Sequence, residues 1–135
     1  MIGLDTNVLG RYLAQDHAKQ AAIATRLIEH ELSATQPGFI SLVVLVELCW
    51  VLKRLYAATE HELLGTVQDL LGAAQFRVES REVVQAATQR LVGLKSARVG
   101  LADMLITEIA RTQGCSHTVS FDKEAVRSAG MTLLI

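Results

Sequence analysis

Apolar positions along the chain follow two rhythms. The short runs "MIGL", "GFIS", "QFRVE", "HTVS" and "MTLLI" are compact blocks, and they predict five strands. Between them, apolar residues recur every three or four positions, which predicts helices. A short helix near 6–14 follows the first strand. "HAKQAAIATRLIEHEL" places Ile23, Leu27, Ile28 and Leu32 on one face, and Pro37 with Gly38 closes that segment. "SLVVLVELCWVLKR" suits a buried strand by its β-branched residues, but its length and its Lys53-Arg54 ending favour a buried helix. "TEHELLGTVQDLLG" opens with Thr59 and Glu62 at capping-box spacing and repeats Leu63, Val67, Leu70 and Leu71. "SREVVQAATQRLVG" reads as a helix capped by Ser80, with Val83, Val84, Ala87 and Leu91 inward. After the loop "LKSARVG", "LADMLITEIARTQG" carries Leu101, Leu105 and Ile109 on one face and stops at Gly114. "DKEAVRSAG" is a last short helix.

Strands separated by helices pair in parallel and carry helices on both faces. The expected fold is therefore a three-layer α/β/α sandwich around a central, mostly parallel five-stranded sheet. It is expected as one domain over 1–135, with no linker, repeat or low-complexity tract. "TVS" and "MTLLI" are nearly unbroken apolar stretches, as expected of strands buried on both faces.

Composition narrows the class. Half of the 135 residues are hydrophobic and 20% are charged, which excludes a disordered chain. The longest apolar run, "LVVLVELCWVL", is interrupted by Glu47 and is too short to span a bilayer. "MIGLDTNVL" lacks the basic start and cleavage site of a signal peptide, so a cytoplasmic protein is expected. A net charge of −1 excludes broad coating of nucleic acid but leaves room for an enzyme gripping one short stretch of it. With three Phe, two Tyr and one Trp, an aromatic base-stacking platform is not expected. Cys49 and Cys115 have no partner at zinc spacing and read as buried reduced thiols. The four histidines are scattered and read as surface or strand-end residues.

Four acids stand in apolar surroundings: Asp5, Glu47, Asp103 and Asp122. Each has an ordinary explanation. Asp5 and Asp122 can cap the helices that follow them. Asp103 sits in a first helical turn, favoured there by the helix dipole. Glu47 is harder to place, because its helical neighbours are Val43, Val44, Trp50 and Val51 and no Lys or Arg lies within a turn. A buried, unpaired carboxylate needs a compensating cation, a solvent cleft or a metal. Taken together, the acids suggest a common site. In an open α/β sheet the carboxyl ends of the strands share one edge. If strands 1 and 4 are neighbours, Asp5 and Asp122 fall there, and the helix carrying Asp103 starts there. Two carboxylates about 4 Å apart repel by roughly 4 kcal/mol at an effective dielectric near 20. A hard divalent cation removes that penalty, and with no His or Cys cluster Mg²⁺ or Mn²⁺ suits the donors. Such a site fits hydrolysis of phosphate esters. No Ser-His-Asp, Cys-His or phosphate-cradling glycine motif competes.

The stretches "GLDTNVLGRYL", "ISLVVLVELCWVLKR", "GLADMLITEIARTQGC" and "TVSFDKEA", followed by "GMTLLI", stand in an order that resembles a PIN-domain ribonuclease of the VapC type. These are the toxin halves of bacterial and archaeal toxin–antitoxin pairs. The resemblance covers essentially the whole chain. It implies that Asp5, Glu47, Asp103 and Asp122 form the catalytic quartet, with Asp5, Asp103 and Asp122 as metal ligands. It further implies that Thr6, Asn7 and Ser120 support the site; Ser120 stands where the family has Thr or Ser. It implies metal-dependent endonucleolytic cleavage of RNA to a 5′ phosphate and a 3′ hydroxyl. A homodimer and a small cognate antitoxin protein lying across the acidic pocket are implied as well. Arg11, Lys95 and Arg98 are the basic residues near the motifs and are candidates to position phosphates.

Three other readings compete. An aspartate-nucleophile phosphohydrolase needs a second Asp two residues after the first, where this chain has Asn7. A receiver domain needs an acidic pair that "GLDTN" lacks, although Lys123 is a faint echo of its late lysine. A non-catalytic module that binds RNA or a partner would be expected to have lost one or more acids, and all four are present.

Overall fold

The computed structural model describes residues 1–94 and 99–135. They form two compact units, Met1–Arg81 and Glu82–Ile135. Among the described residues, no helix is long and apolar enough to cross a membrane.

The first unit runs β1 (Ile2–Gly3), α1 (Thr6–Ala14), α2 (Ala18–Arg26), β2 (Gly38–Ile40), α3 (Leu42–Tyr56), α4 (Glu60–Gly72) and β3 (Phe76–Val78). The end of α2 widens into a π-helical turn over Leu27–Glu31. The sheet is parallel throughout, in the order β1-β2-β3. Ile2 pairs with Gly38, and Gly38 with Phe76. The middle strand needs a glycine at its start. A Cβ on Gly38 would lie 2.6 Å from Leu4 Cδ1 and 2.8 Å from Leu32 Cδ1, so its absence lets both leucines close over the sheet. Leu9, Ile28, Ile40, Leu45 and Leu48 are buried in this core.

The capping box of α4 forms as its spacing predicts. The Thr59 N–H donates to Glu62 Oε1 at 2.9 Å, and the Glu62 N–H donates to Thr59 Oγ1 at 3.1 Å. Its apolar repeat Leu63, Val67, Leu70 and Leu71 is buried. Two helices differ from expectation. In α2 the inward face is Ala21, Ala24 and Ile28, while Ile23 is 62% exposed. Small alanines face inward where the pattern favoured the larger Ile23, and the π-helical turn shifts the phase before Leu32. Helix α3 is not buried all round. Leu45, Leu48 and Leu52 face the core, but Val43, Val46 and Trp50 face solvent. Its start is fixed twice. Ser41 Oγ accepts the Val44 N–H at 3.1 Å, and Glu79 Oε1 accepts the Leu42 N–H at 2.8 Å.

The second unit comprises α5 (Arg81–Val92), which begins at the unit boundary, α6 (Leu101–Thr112), β4 (Val119–Ser120), α7 (Lys123–Ala129) and β5 (Thr132–Leu133). Strands β4 and β5 pair in parallel, Val119 with Thr132 and Ser120 with Leu133, joined by α7. A polar clamp ties three elements together. Arg90 Nη1 donates to Thr107 Oγ1 at 3.0 Å and to Glu108 Oε1 at 3.1 Å, while Nη2 donates to the Ala129 carbonyl at 2.8 Å. Glu108 is buried, and Arg111 gives it a second cation at 3.5 Å. Gly114 and Gly130 end α6 and α7 at φ 89° and 74°, a region open to glycine without strain.

Three expectations are corrected here. The strands form a three-stranded and a two-stranded parallel sheet, not one five-stranded sheet. Apolar runs mark where strands lie, but a ladder needs non-local partners, and β1, β4 and β5 each pair over only two residues. Strand β4 is not buried on both faces, since Val119 is 49% exposed. Ser80 takes a left-handed φ of 49° and makes no side-chain hydrogen bond among the described residues, so it shapes a turn instead of capping α5.

Candidate active site

Asp5 occupies the N-cap position of α1, in extended conformation at φ −81° and ψ 159°. An aspartate there ordinarily accepts hydrogen bonds from the first turn. This one does not: its carboxylate makes no cap bond. Ser41, Thr59 and Asp122, in extended conformation at the same position of their helices, all cap through their side chains. Its carboxylate is exposed and makes no hydrogen bond or ion pair among the described residues. Helix capping therefore does not account for the acid at the end of the first strand.

The next residue reaches across to α3. Thr6 is buried, and its hydroxyl donates to Glu47 Oε1. Glu47 itself lies on the solvent-facing side of α3. Of the ways Glu47 could avoid being a buried, unpaired carboxylate, the structure has it exposed and steadied by a neighbouring hydroxyl. It borders an open hollow with Leu42, Val43, Val46 and Trp50. One turn further on, the Arg54 guanidinium lies 5.1 Å from the Trp50 ring centroid, a cation–π contact. In this unit the structure brings together the start of α1, with Asp5 and Thr6, and the middle of α3, with Glu47.

In the second unit, Asp103 lies in the first turn of α6 and is half-buried. Asp122 is the N-cap of α7, and its Oδ1 accepts the Glu124 N–H at 2.9 Å. For Asp122 the capping explanation holds. Its own N–H donates to Ser120 Oγ at 2.9 Å, which links the end of β4 to the cap. Among the described residues, no group of three or more His, Cys, Asp or Glu side chains is gathered tightly enough to hold a metal ion. The chemistry of the donors nevertheless suits a hard cation. Asp5 and Glu47 are exposed carboxylates, with no thiolate or imidazole in their hydrogen bonds.

The basic candidates fare differently. Arg11 is already engaged: Nε donates to Gln20 Oε1 at 2.8 Å, and Nη1 pairs with Asp16 at 3.2 Å. The Tyr56 hydroxyl also donates to Asp16, holding its carboxyl below the usual range, with Arg11 adding to the effect. The same bond pushes the Tyr56 phenol upward. Lys95 and Arg98 lie outside the described residues. Asn7 is exposed, and its side chain makes no hydrogen bond among the described residues. Of the cysteines, Cys49 is half-buried and its thiol is pushed up to about 11, chiefly by burial and then by the charge of Glu60. Cys115 is exposed, contrary to expectation, because α6 ends just before it.

Sequence reading missed three polar residues that shape these elements. Glu79 caps α3 from the end of β3, a contact between distant positions with no local signal. Arg90 and Glu108 form the clamp of the second unit. Glu108 and Arg111 stand three apart on α6, a legible pair, but the partner that matters more lies on another helix.

No curated protein matches the chain. A family model described as PIN domain matches residues 2–130, nearly its full length. The match takes in Asp5, Thr6, Glu47, Asp103 and Asp122. Members of this family are generally nucleases that need a divalent metal ion. With the match covering both units, the chain belongs to the PIN domain family.

Proposed function

We propose that the protein is a metal-dependent endoribonuclease of the VapC type, the toxin of a toxin–antitoxin pair. The observation that carries this reading is Asp5. It is an N-cap acid whose carboxylate is left out of its own helix cap, next to a threonine that steadies Glu47. In the proposed site Asp5, Glu47, Asp103 and Asp122 carry the chemistry, with Asp5, Asp103 and Asp122 holding Mg²⁺ or Mn²⁺. A bound divalent ion supplies charge compensation for the acids and acidifies the attacking water. The chain's own residues do the rest. Thr6 fixes the rotamer of Glu47 by occupying Oε1, leaving Oε2 to accept a proton or orient a water. The hydrogen bond from the Asp122 N–H to Ser120 fixes the backbone turn that presents Asp122. An uncapped Asp5 is free to bind an ion without first breaking a helix contact. The proposed partners are an RNA substrate, a small cognate antitoxin protein and a second copy of the chain.

The test is cleavage of a structured RNA pool by the purified protein, freed of any co-purified partner, with Mg²⁺ or Mn²⁺. We expect cutting that stops with EDTA and stops in Asp5→Asn, leaving 5′ phosphates. Cutting that survives Asp5→Asn would remove Asp5 from the mechanism. No cutting with either metal would favour a module that binds RNA or a partner without turnover.

A further inference from the structure

Helices α1 and α2 border a half-open groove of about 410 Å³, separate from the hollow beside Glu47. Asn7, Arg11 and Gln20 line its polar side, and Val8, Ile23 and Leu27 its apolar side. That size and that mixture, mostly apolar walls with a few placed polar groups, are those of a small-ligand pocket. The polar side is built. Arg11 Nε holds the Gln20 carboxamide by its oxygen at 2.8 Å, which leaves the amide NH₂ to donate elsewhere. Asp16 neutralises Arg11 and is itself held by Tyr56, so the wall is polar without surplus charge. A phosphate would find no unpaired cation on that wall. An uncharged planar group would find two carboxamides, each with donor and acceptor capacity. Ile23, 62% exposed on a helix whose buried face is alanine, offers that group an apolar surface. Asn7 lies in the first turn of the helix that Asp5 precedes, so the pocket begins within one turn of that N-cap.

We propose that the α1–α2 groove receives one unpaired nucleobase of the RNA, next to the bond that is cut. The Asn7 and Gln20 carboxamides read its edge, and Val8, Ile23 and Leu27 pack against its face. Single-stranded bases splayed from RNA are recognised in this way, by hydrogen bonds to their edges and packing on their faces. Arg11 is then a positioning residue that orients Gln20, not a phosphate clamp. This inference rests on the nuclease reading for its place beside the cut, but the pocket can be tested without turnover.

The experiment has two arms. In the first, the ¹⁵N-labelled protein is titrated with AMP, GMP, CMP and UMP, and with ribose 5-phosphate as control. We expect the side-chain amides of Asn7 and Gln20 and the backbone of Ile23 to shift with one base more than the others. Equal shifts with ribose 5-phosphate, or none with any nucleotide, overturn the pocket. Shifts that follow protein concentration alone also overturn it and assign the groove to a second copy of the chain. In the second arm, cut sites in an RNA pool are mapped for the wild type, Gln20→Ala and Gln20→Glu. Loss of one well-placed base contact should relax preference at a single flanking position by roughly tenfold or more. Cutting with unchanged preference in both variants overturns the pocket and leaves the nuclease standing. Base-selective shifts in a protein that cuts nothing support the pocket and remove the nuclease.

Discussion

Thr6 is buried, yet its hydroxyl serves a residue on another helix. Thr6→Val keeps the shape and removes that donor. On the proposed mechanism, the fall in kcat should be about tenfold, since removing a single orienting hydrogen bond costs roughly 1–1.5 kcal/mol. Thr6→Ser should restore most of the rate, and steady-state cleavage with a thermal melt on each variant checks both. If Val and Ser variants are equally slow, or if the melt falls with the rate, Thr6 is structural only. The acids of the proposed site could be picked out one by one. Asp5, Glu47, Asp103 and Asp122 could be singled out because each interrupts or abuts an apolar run. What the sequence could not show was which acids were already used as caps. Asp5 and Asp122 stand in the same local context, a strand end before a helix, yet only Asp122 caps through its carboxylate. The engagement of Arg11 was hidden for a similar reason, because its partners Asp16 and Gln20 lie beyond the end of its own helix.

Among the elements, α4 was the most completely legible and α2 the least. The capping box is local, so four consecutive residues specify it. Its carboxylate carries a pH signature. Glu62 is held below its ordinary value of 4.5, chiefly by the Thr59 backbone N–H and then by the Thr59 side chain. A folded-state value below the unfolded one gives stability that is present above about pH 4.5 and lost as pH falls through the lower folded value. Glu62→Gln should flatten that acidic slope, as read by urea unfolding at several pH values, while Thr59→Ala, which keeps the backbone donor, should cost about 1 kcal/mol at neutral pH and leave most of the slope. An unchanged slope in Glu62→Gln would place the acid sensitivity elsewhere. Helix α2 was misread for the opposite reason. Ala21 and Ala24 give little hydrophobic signal, yet they are the residues buried there. Helix α3 was placed correctly but taken as buried throughout, since a run of Val and Leu does not say that one face is left open.

At the scale of the molecule, the parallel pairing was legible from strand–helix alternation, whereas the grouping into three and two strands depends on partners far apart in the chain. The second unit also leans on polar groups that no periodicity announces. Arg90→Met would strand the buried Glu108 on Arg111 alone, a largely exposed partner, and would free the Ala129 carbonyl. Breaking a mostly buried pair from one side should cost roughly 3 kcal/mol, measurable as a lower urea midpoint. A loss under about 0.5 kcal/mol would show that Arg111 or water compensates. The sheet of the first unit has one more consequence, and it concerns time. Its strands lie side by side in the order in which they are synthesised, β1, then β2, then β3, so each finds its neighbour already made. Domains fold as units as they emerge, at about 5–20 residues per second. When Arg81 has left the ribosome, the first unit can form with Asp5 and Glu47 in place, while Asp103 and Asp122 emerge only about 1–8 s later at that rate. On the proposed mechanism, which shares its chemistry among four carboxylates, a half-made chain cannot yet cut the message that encodes it.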